Sequence, residues 1–225
     1  MVMKYVACIG HFDGVHLGHQ KLIKKTIELA GDKYISAAIT FYPDPKTVYG
    51  ADKNKKHLST LKQKENYMYQ LGIQEVIVID FTKEFSLVTP DIFIEYFLNK
   101  FDLQTLVCGP DFSFGHKGSG KVKDLLESRI KNFDVITVEE ELYNNHKINS
   151  TEIIEMIKQG DISTANYLLN KNYIANVTIK DNTIIDSENV LPLKGSYKVL
   201  INNKPYLLTD NHINYKNGCV DISFI

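Results

Sequence analysis

The sequence predicts an α/β protein: a parallel sheet with helices on both faces, followed by a small C-terminal β segment. Two observations carry this. Apolar runs of strand length alternate with stretches of helical periodicity through most of the chain, which is the signature of strands joined by helical crossovers. After Ser150 the character changes to two short helices and then to brief β-like runs.

The first strand candidate is Met3–Ile9. Helix Gly18–Ala30 follows, with Leu22, Ile23, Ile27 and Ala30 on one face and Lys21, Lys24, Lys25 and Glu28 elsewhere. Strand Tyr34–Phe41, helix Thr60–Leu71 and strand Glu75–Ile79 come next. Pro90–Lys100 reads as a helix because Thr89 can cap it and Pro90 suits a first turn. Strand Thr105–Cys108, helix Lys121–Lys131 and strand Phe133–Val138 complete the alternation. Right-handed crossovers then make the strands parallel. The result is a Rossmann-like sheet, in which ligands gather at the carboxyl ends of the strands. Thr151–Lys158 and Ile162–Asn170 are short helices broken at Gln159-Gly160-Asp161. Beyond them, Tyr197–Ile201 and Lys204–Leu208 flank Asn202-Asn203, which predicts a hairpin. Val220–Ile225 is a last strand candidate. A boundary near Leu169–Tyr173 divides residues 1–172 from a short β-rich segment, 173–225.

Composition excludes several classes of function. The 225 residues carry 26 Lys+Arg against 27 Asp+Glu and are 44% hydrophobic. Balanced charge argues against nucleic acid as the main partner. No apolar run reaches the length of about 18 residues that a membrane span requires. The chain opens on a strand-like run, not a signal peptide. Cys8, Cys108 and Cys219 are scattered, and no spacing of cysteine or histidine predicts a bound metal. A reducing cytoplasm fits this usage. Nothing in the chain sets an oligomeric state.

Three loops directly follow strands and so fall on one edge of the predicted sheet. The first is Gly10-His11-Phe12-Asp13-Gly14-Val15-His16-Leu17-Gly18-His19-Gln20. Its glycines permit tight turns and close approach of a ligand. The helix N-terminus that follows favours phosphate, and imidazoles there can donate to phosphate oxygens. The second is Thr40-Phe41-Tyr42-Pro43-Asp44-Pro45-Lys46. Its rigid rings either wall a flat aromatic ligand or simply end a strand. The third, Gly109–Gly120, contains four glycines, Asp111, Phe112, Phe114 and Lys117. Asp111 can accept from a ribose hydroxyl or a base amine. The phenylalanines either stack on a ring or plug the core, and Lys117 meets phosphate or water.

The first loop resembles the His-x-Gly-His signature of the nucleotidyltransferase superfamily. Gly10-x-Phe12-Asp13-Gly14-Val15-His16-x-Gly18-His19-Gln20, then Phe41-x-Pro43-x-Pro45, then Gly109-x-Asp111-Phe112-x-Phe114-Gly115 together resemble the prokaryotic FAD synthetase family. Weaker matches run between them at His57-Leu58-Ser59-Thr60, Leu71-Gly72-Ile73 and Asp80-Phe81 through Phe85. The resemblance covers residues 4–173, the adenylyltransferase module of bifunctional riboflavin kinase/FMN adenylyltransferases. It implies transfer of AMP from ATP to FMN, giving FAD and pyrophosphate with magnesium on the polyphosphate. It implies His16 and His19 as catalytic residues at the phosphates. Gly10, Phe12, Asp13, Gly18, Asp111, Ser150 and Thr151 would form the ATP site, and Phe41, Pro43, Pro45, Phe112 and Phe114 the flavin site.

Two departures stand out. The family's Ser-Ser-Thr-x-x-Arg element reads Asn149-Ser150-Thr151-Glu152-Ile153-Ile154, so the arginine position holds Ile154 and Glu152 precedes it. Loss of such a charge-assisted contact costs roughly 1.5–3 kcal/mol unless Lys147, Lys117 or Lys158 replaces it. The second departure is residues 173–225, which lack the Pro-Thr-x-Asn motif of the kinase module and read as its remnant, without riboflavin kinase activity. Two rival readings follow: a non-catalytic protein that holds flavin or adenine nucleotide, and a nucleotidyltransferase with another acceptor.

Overall fold

The computed structural model describes residues 4–48 and 56–225. Met3, the predicted start of the first strand, lies outside them. By compactness the chain forms two interleaved units. The first comprises the described residues of 1–12, 18–55 and 65–142, and the second those of 13–17, 56–64 and 143–225. The contacts therefore group 143–172 with the C-terminal strands, although the sequence reading sets a module boundary at 172.

The first unit is built on five parallel strands: β1 (Tyr5–Ile9), β2 (Ile35–Tyr42), β3 (Glu75–Asp80), β4 (Leu103–Cys108) and β5 (Asp134–Thr137). Their order is β3-β2-β1-β4-β5. Ala7 pairs with Ala37 on one side and Leu106 on the other, so β1 is central. Side chains of a strand alternate between its two faces. Ala7 and Ile9 join Ala37, Ile39, Phe93, Ile94, Leu98 and Leu125 in one core cluster. Val6 and Cys8, on the opposite face, are equally buried. Thr26 of helix α1 (Leu17–Ala30) hydrogen-bonds Cys8, whose thiol burial pushes up to about 12. Both faces are covered, as a parallel sheet demands.

Helix α2 (Leu61–Gln70) agrees with the sequence reading. Two other helices depart from it. Pro90–Lys100 is not one α-helix: Pro90–Ile92 is a single α turn, Phe93–Leu98 widens to a π-helix and Asn99–Phe101 tightens to 3₁₀. The widening coincides with aromatic packing, since Phe97 and Phe93 lie 4.7 and 6.1 Å from the Phe85 ring. Such π segments interrupt otherwise regular α-helices. Helix α3 covers only Val122–Glu127, shorter than predicted, because Ser128 turns extended at ψ 127°.

The second unit contains α4 (Ser150–Lys158), α5 (Ile162–Leu169) and five antiparallel strands. These are β6 (Tyr173–Lys180), β7 (Thr183–Ser187), β8 (Ser196–Ile201), β9 (Lys204–Thr209) and β10 (Gly218–Phe224). Their order is β7-β6-β10-β8-β9. The predicted hairpin is there, with Asn202 and Asn203 at φ 50° and 61°. Asp181-Asn182 closes the β6–β7 hairpin in the same way, at φ 50° and 60°. Paired positive φ values are what two-residue hairpins need, and Asn and Asp tolerate them best. Ile153, Ile157, Leu168, Ala175, Val177, Ile222 and Phe224 share one core.

Candidate active site

In the first unit the chain runs outward from β1 to β2 and β3 on one side and from β4 to β5 on the other. The carboxyl ends of β1 and β4 therefore flank the point where strand order reverses, the usual ligand crevice of an open α/β sheet. Gly10 extends the ladder by donating its N–H to the Ile39 carbonyl at 3.1 Å. A Cβ on Gly10 would lie 3.3 Å from the Phe12 ring. Phe12 is fully buried at φ 57° and meets the edge of the His19 ring at a centroid distance of 5.1 Å. Gly18 sits in the first turn of α1.

The second loop closes over the end of β2. The Thr40 hydroxyl donates to the His11 carbonyl at 3.1 Å, and His11 Nε2 lies 3.6 Å from the buried Asp44 carboxylate. Pro45 opens the short helix Pro45–Val48, with Pro43 in a cis peptide before it. Phe41 packs on Phe81 and Phe85 at 6.0 and 6.3 Å. The loop after β4 is ordered by its own ladder, Ser113–Phe114 against Gly120–Lys121. Asp111 is exposed. Phe112 stacks on Phe114 at 5.7 Å, and Phe114 is a buried core side chain against Phe93 at 5.4 Å. Phe114 thus packs within the core cluster of this unit.

In the second unit, Asp13 is the hub. Its carboxylate accepts the Ser59 and Leu58 N–H groups at 3.0 and 3.3 Å and the Ser59 hydroxyl at 3.3 Å. His57 Nδ1 lies 3.5 Å away. The Gly14 N–H donates to Ser59 Oγ at 2.9 Å, and the Ser150 hydroxyl donates to the Asp13 carbonyl at 2.9 Å. Gly14 has φ 76°, and a Cβ there would strike Leu58 at 2.7 Å. Val15 holds φ 48°, which a β-branched residue rarely adopts. Such strain costs about 1–3 kcal/mol and persists only where surrounding contacts over-determine the backbone. The Asp13 network supplies those contacts.

His16 is buried within this unit. Burial pushes its imidazole down to about 4; Asp13 opposes the shift and Lys147 adds to it. His16 is thus neutral near pH 7, able to donate one hydrogen bond but carrying no charge. Lys171 is pushed down to about 7 by burial against the attraction of Asp13. Thr151 and Glu152 are exposed at the start of α4. Ile154 is 7% exposed and belongs to the apolar core of this unit. Lys158 pairs with Glu155 at 2.9 Å on the surface.

The burial of Asp44 is not readable from the sequence: aspartate is a surface residue by default, and only its place beside His11 in the folded unit reveals it. For Ser59 a signal existed: it lies in the His57-Leu58-Ser59-Thr60 match, which the structure explains as the partner of Asp13.

A reversed parallel sheet with glycine, proline and histidine loops on its carboxyl edge defines the α/β ligand-binding class. The chain belongs to the FAD synthetase family, whose model matches residues 2–152. It is 37% identical over 176 residues to the bifunctional riboflavin kinase/FMN adenylyltransferase of Listeria monocytogenes, covering 77% of this chain and 56% of that protein. The Bacillus subtilis protein of the same name is 36% identical over 172 residues, 76% of this chain and 54% of that one. The chain thus spans about half the length of these relatives. A Listeria monocytogenes FAD synthetase is 30% identical over 197 residues, with 86% and 80% covered. Among solved structures, a macrolide-efflux protein from Streptococcus pneumoniae superposes with TM-score 0.85 at 21% identity, over 100% of this chain and 93% of that one. That likeness carries the fold alone. Among the described residues, no helix is long and apolar enough to cross a membrane.

Proposed function

We propose that the chain is an FMN adenylyltransferase, taking ATP as its magnesium complex and FMN and releasing FAD and pyrophosphate. The observation that carries this is the family match over 2–152, the stretch that holds all three loops. In the reaction an FMN phosphate oxygen forms a bond to the α-phosphorus of ATP, and the bond from that phosphorus to the bridging oxygen of pyrophosphate breaks. No covalent enzyme intermediate is needed, so the protein positions substrates and offsets charge. His16 and His19 are assigned to the phosphates, with neutral His16 as a hydrogen-bond donor. Gly10, Phe12, Asp13 and Gly18 shape the turn that presents them. Asp111, Ser150 and Thr151 are assigned to the nucleotide, and Phe41, Pro43, Pro45, Phe112 and Phe114 to the flavin.

The adenylyl-transfer module is taken as 1–172, and no riboflavin phosphorylation is assigned to 173–225. Free thiols at Cys8, Cys108 and Cys219 support a reducing cytoplasm as the place of reaction. The test is to incubate the protein with FMN, ATP and magnesium and to quantify FAD and pyrophosphate. Equal amounts over many turnovers are expected. Bound FMN or ATP without FAD favours the non-catalytic reading, and turnover only with another phosphate acceptor favours the third. Riboflavin supplied in place of FMN is expected to stay unphosphorylated.

A further inference from the structure

We propose that Asn189 is a positioning residue for adenylyl transfer, holding the 57–60 segment on which the turn before His16 is folded. The proposal rests on the reaction proposed above and adds a residue outside the family-matched stretch 2–152. The turn 13–15 needs outside support. Gly14 and Val15 hold φ 76° and 48°, and Val15 is β-branched. The Leu58 and Ser59 N–H groups donate to the Asp13 carboxylate at 3.3 and 3.0 Å, and Ser59 Oγ accepts the Gly14 N–H at 2.9 Å. His57 Nδ1, 3.5 Å from that carboxylate, and the Ser150 hydroxyl, on the Asp13 carbonyl, share the task. The next residue in the chain, His16, is the one assigned to the phosphates.

Segment 57–60 spends its N–H groups on Asp13, and its carbonyls need partners of their own. Residues 189 and 190 provide them. The Val190 N–H donates to the His57 carbonyl at 3.1 Å, and Asn189 Nδ2 donates to the Leu58 carbonyl at 3.2 Å. The same Nδ2 donates to Gln63 Oε1 at 2.9 Å. Gln63 Oε1 also accepts the Thr60 N–H at 2.9 Å, and the Thr60 hydroxyl accepts the Gln63 N–H at 3.2 Å. Asn189 is itself held in place. It is 1% exposed, its Oδ1 accepts the Asn176 N–H at 2.8 Å, and its own N–H donates to Ser187 Oγ at 3.1 Å. The whole amide is in use, so an apolar side chain there would orphan buried groups. Asn176 belongs to β6, so the amide ties the C-terminal sheet to the segment that carries Asp13. A misplacement of about 1 Å from a distant change can cost roughly a hundred-fold in rate. Loss of this amide would free the segment that sets His16.

The experiment uses the full chain and compares Asn189→Ala with Ile222→Val, a core change in β10 that removes none of these hydrogen bonds. Each protein is assayed at the same interval below its own melting midpoint, so that lost stability is matched. Asn189→Ala should lower kcat for FAD formation about ten- to a hundred-fold, with KM for ATP within about three-fold of wild type. Ile222→Val should leave both near wild type. Adding Ser59→Ala to Asn189→Ala should cost little more, because both act through the same turn. Hydrogen exchange in Asn189→Ala should quicken at the Gly14, Leu58 and Ser59 amides, while β6 and β10 stay protected. If Asn189→Ala fails to fold, Asn189→Ser, which keeps a polar side chain, carries the same test. Unchanged kcat, unchanged exchange at those three amides, equal rate losses in Asn189→Ala and Ile222→Val, or fully multiplicative effects with Ser59→Ala would each overturn the proposal. A wild type that binds FMN and ATP without forming FAD would instead remove the reaction, and this role with it.

Discussion

Single residues in this chain owe their properties to burial more than to their neighbours in sequence. His16 is the clearest case. Its folded value of about 4 lies below the unfolded value of about 6.5, so the unfolded state binds the extra proton between those limits. Stability is therefore full above pH 6.5 and declines as pH falls towards 4. Chemical denaturation at pH 7 and pH 4.5 should show the wild type losing about 2–3 kcal/mol more than His16→Gln. Equal losses in the two proteins would mean that His16 is not held neutral. Lys171 acts in a different window, between its unfolded value and about 7, where stability rises with pH. The two contributions are thus separable. Asp13 illustrates what a motif hides: the resemblance implies a place at the nucleotide, and the structure adds that its carboxylate anchors Leu58 and Ser59.

At the scale of elements, the loop after β4 depends on one close approach. Gly115 has φ 70°, and a Cβ on it would lie 2.8 Å from the backbone nitrogen of Pro90. Gly31 has φ 49° with open space around it. Gly115→Ala should destabilise by about 1–3 kcal/mol more than Gly31→Ala, because only the first adds a backbone collision to the cost of the left-handed conformation. Thermal melts of both variants measure the difference, and equal shifts would show that the loop gives way without cost. The same loop marks what was legible beforehand. Its existence follows from glycine content and position after a strand. Its internal ladder and the burial of Phe114 do not, because they depend on Phe93 from a separate helix. Likewise the five parallel strands are readable from local periodicity, but their order is not, since every crossover spans a helix and is chosen by packing. The hairpin at Asn202-Asn203 was readable because its turn chemistry is local. The widened helix at Phe93–Leu98 was not, because it accompanies ring packing with Phe85.

On the scale of the molecule, residues 173–225 are structural partners of α4 and α5. Ile153, Ile157, Ile162, Leu168 and Leu169 share a core with Ala175, Val177, Val199, Ile222 and Phe224. Each large aliphatic side chain re-exposed to water costs about 1.5–3 kcal/mol, and a domain's whole stability is only about 5–15 kcal/mol. Removing the sheet from five such side chains therefore reaches the scale of the entire folding free energy. A chain ending at Asn172 should lose its cooperative melt in this part or aggregate, and bind a hydrophobic dye that the full chain excludes. Because Asp13, Ser150 and Thr151, which the proposed function assigns to the nucleotide, belong to the same compact unit as that sheet, the truncated chain should also bind ATP at least ten-fold more weakly. A soluble 1–172 protein with a sharp melt and full ATP affinity would make the C-terminal sheet an independent appendage. The expected result would make it the support on which the packing of α4 and α5 depends.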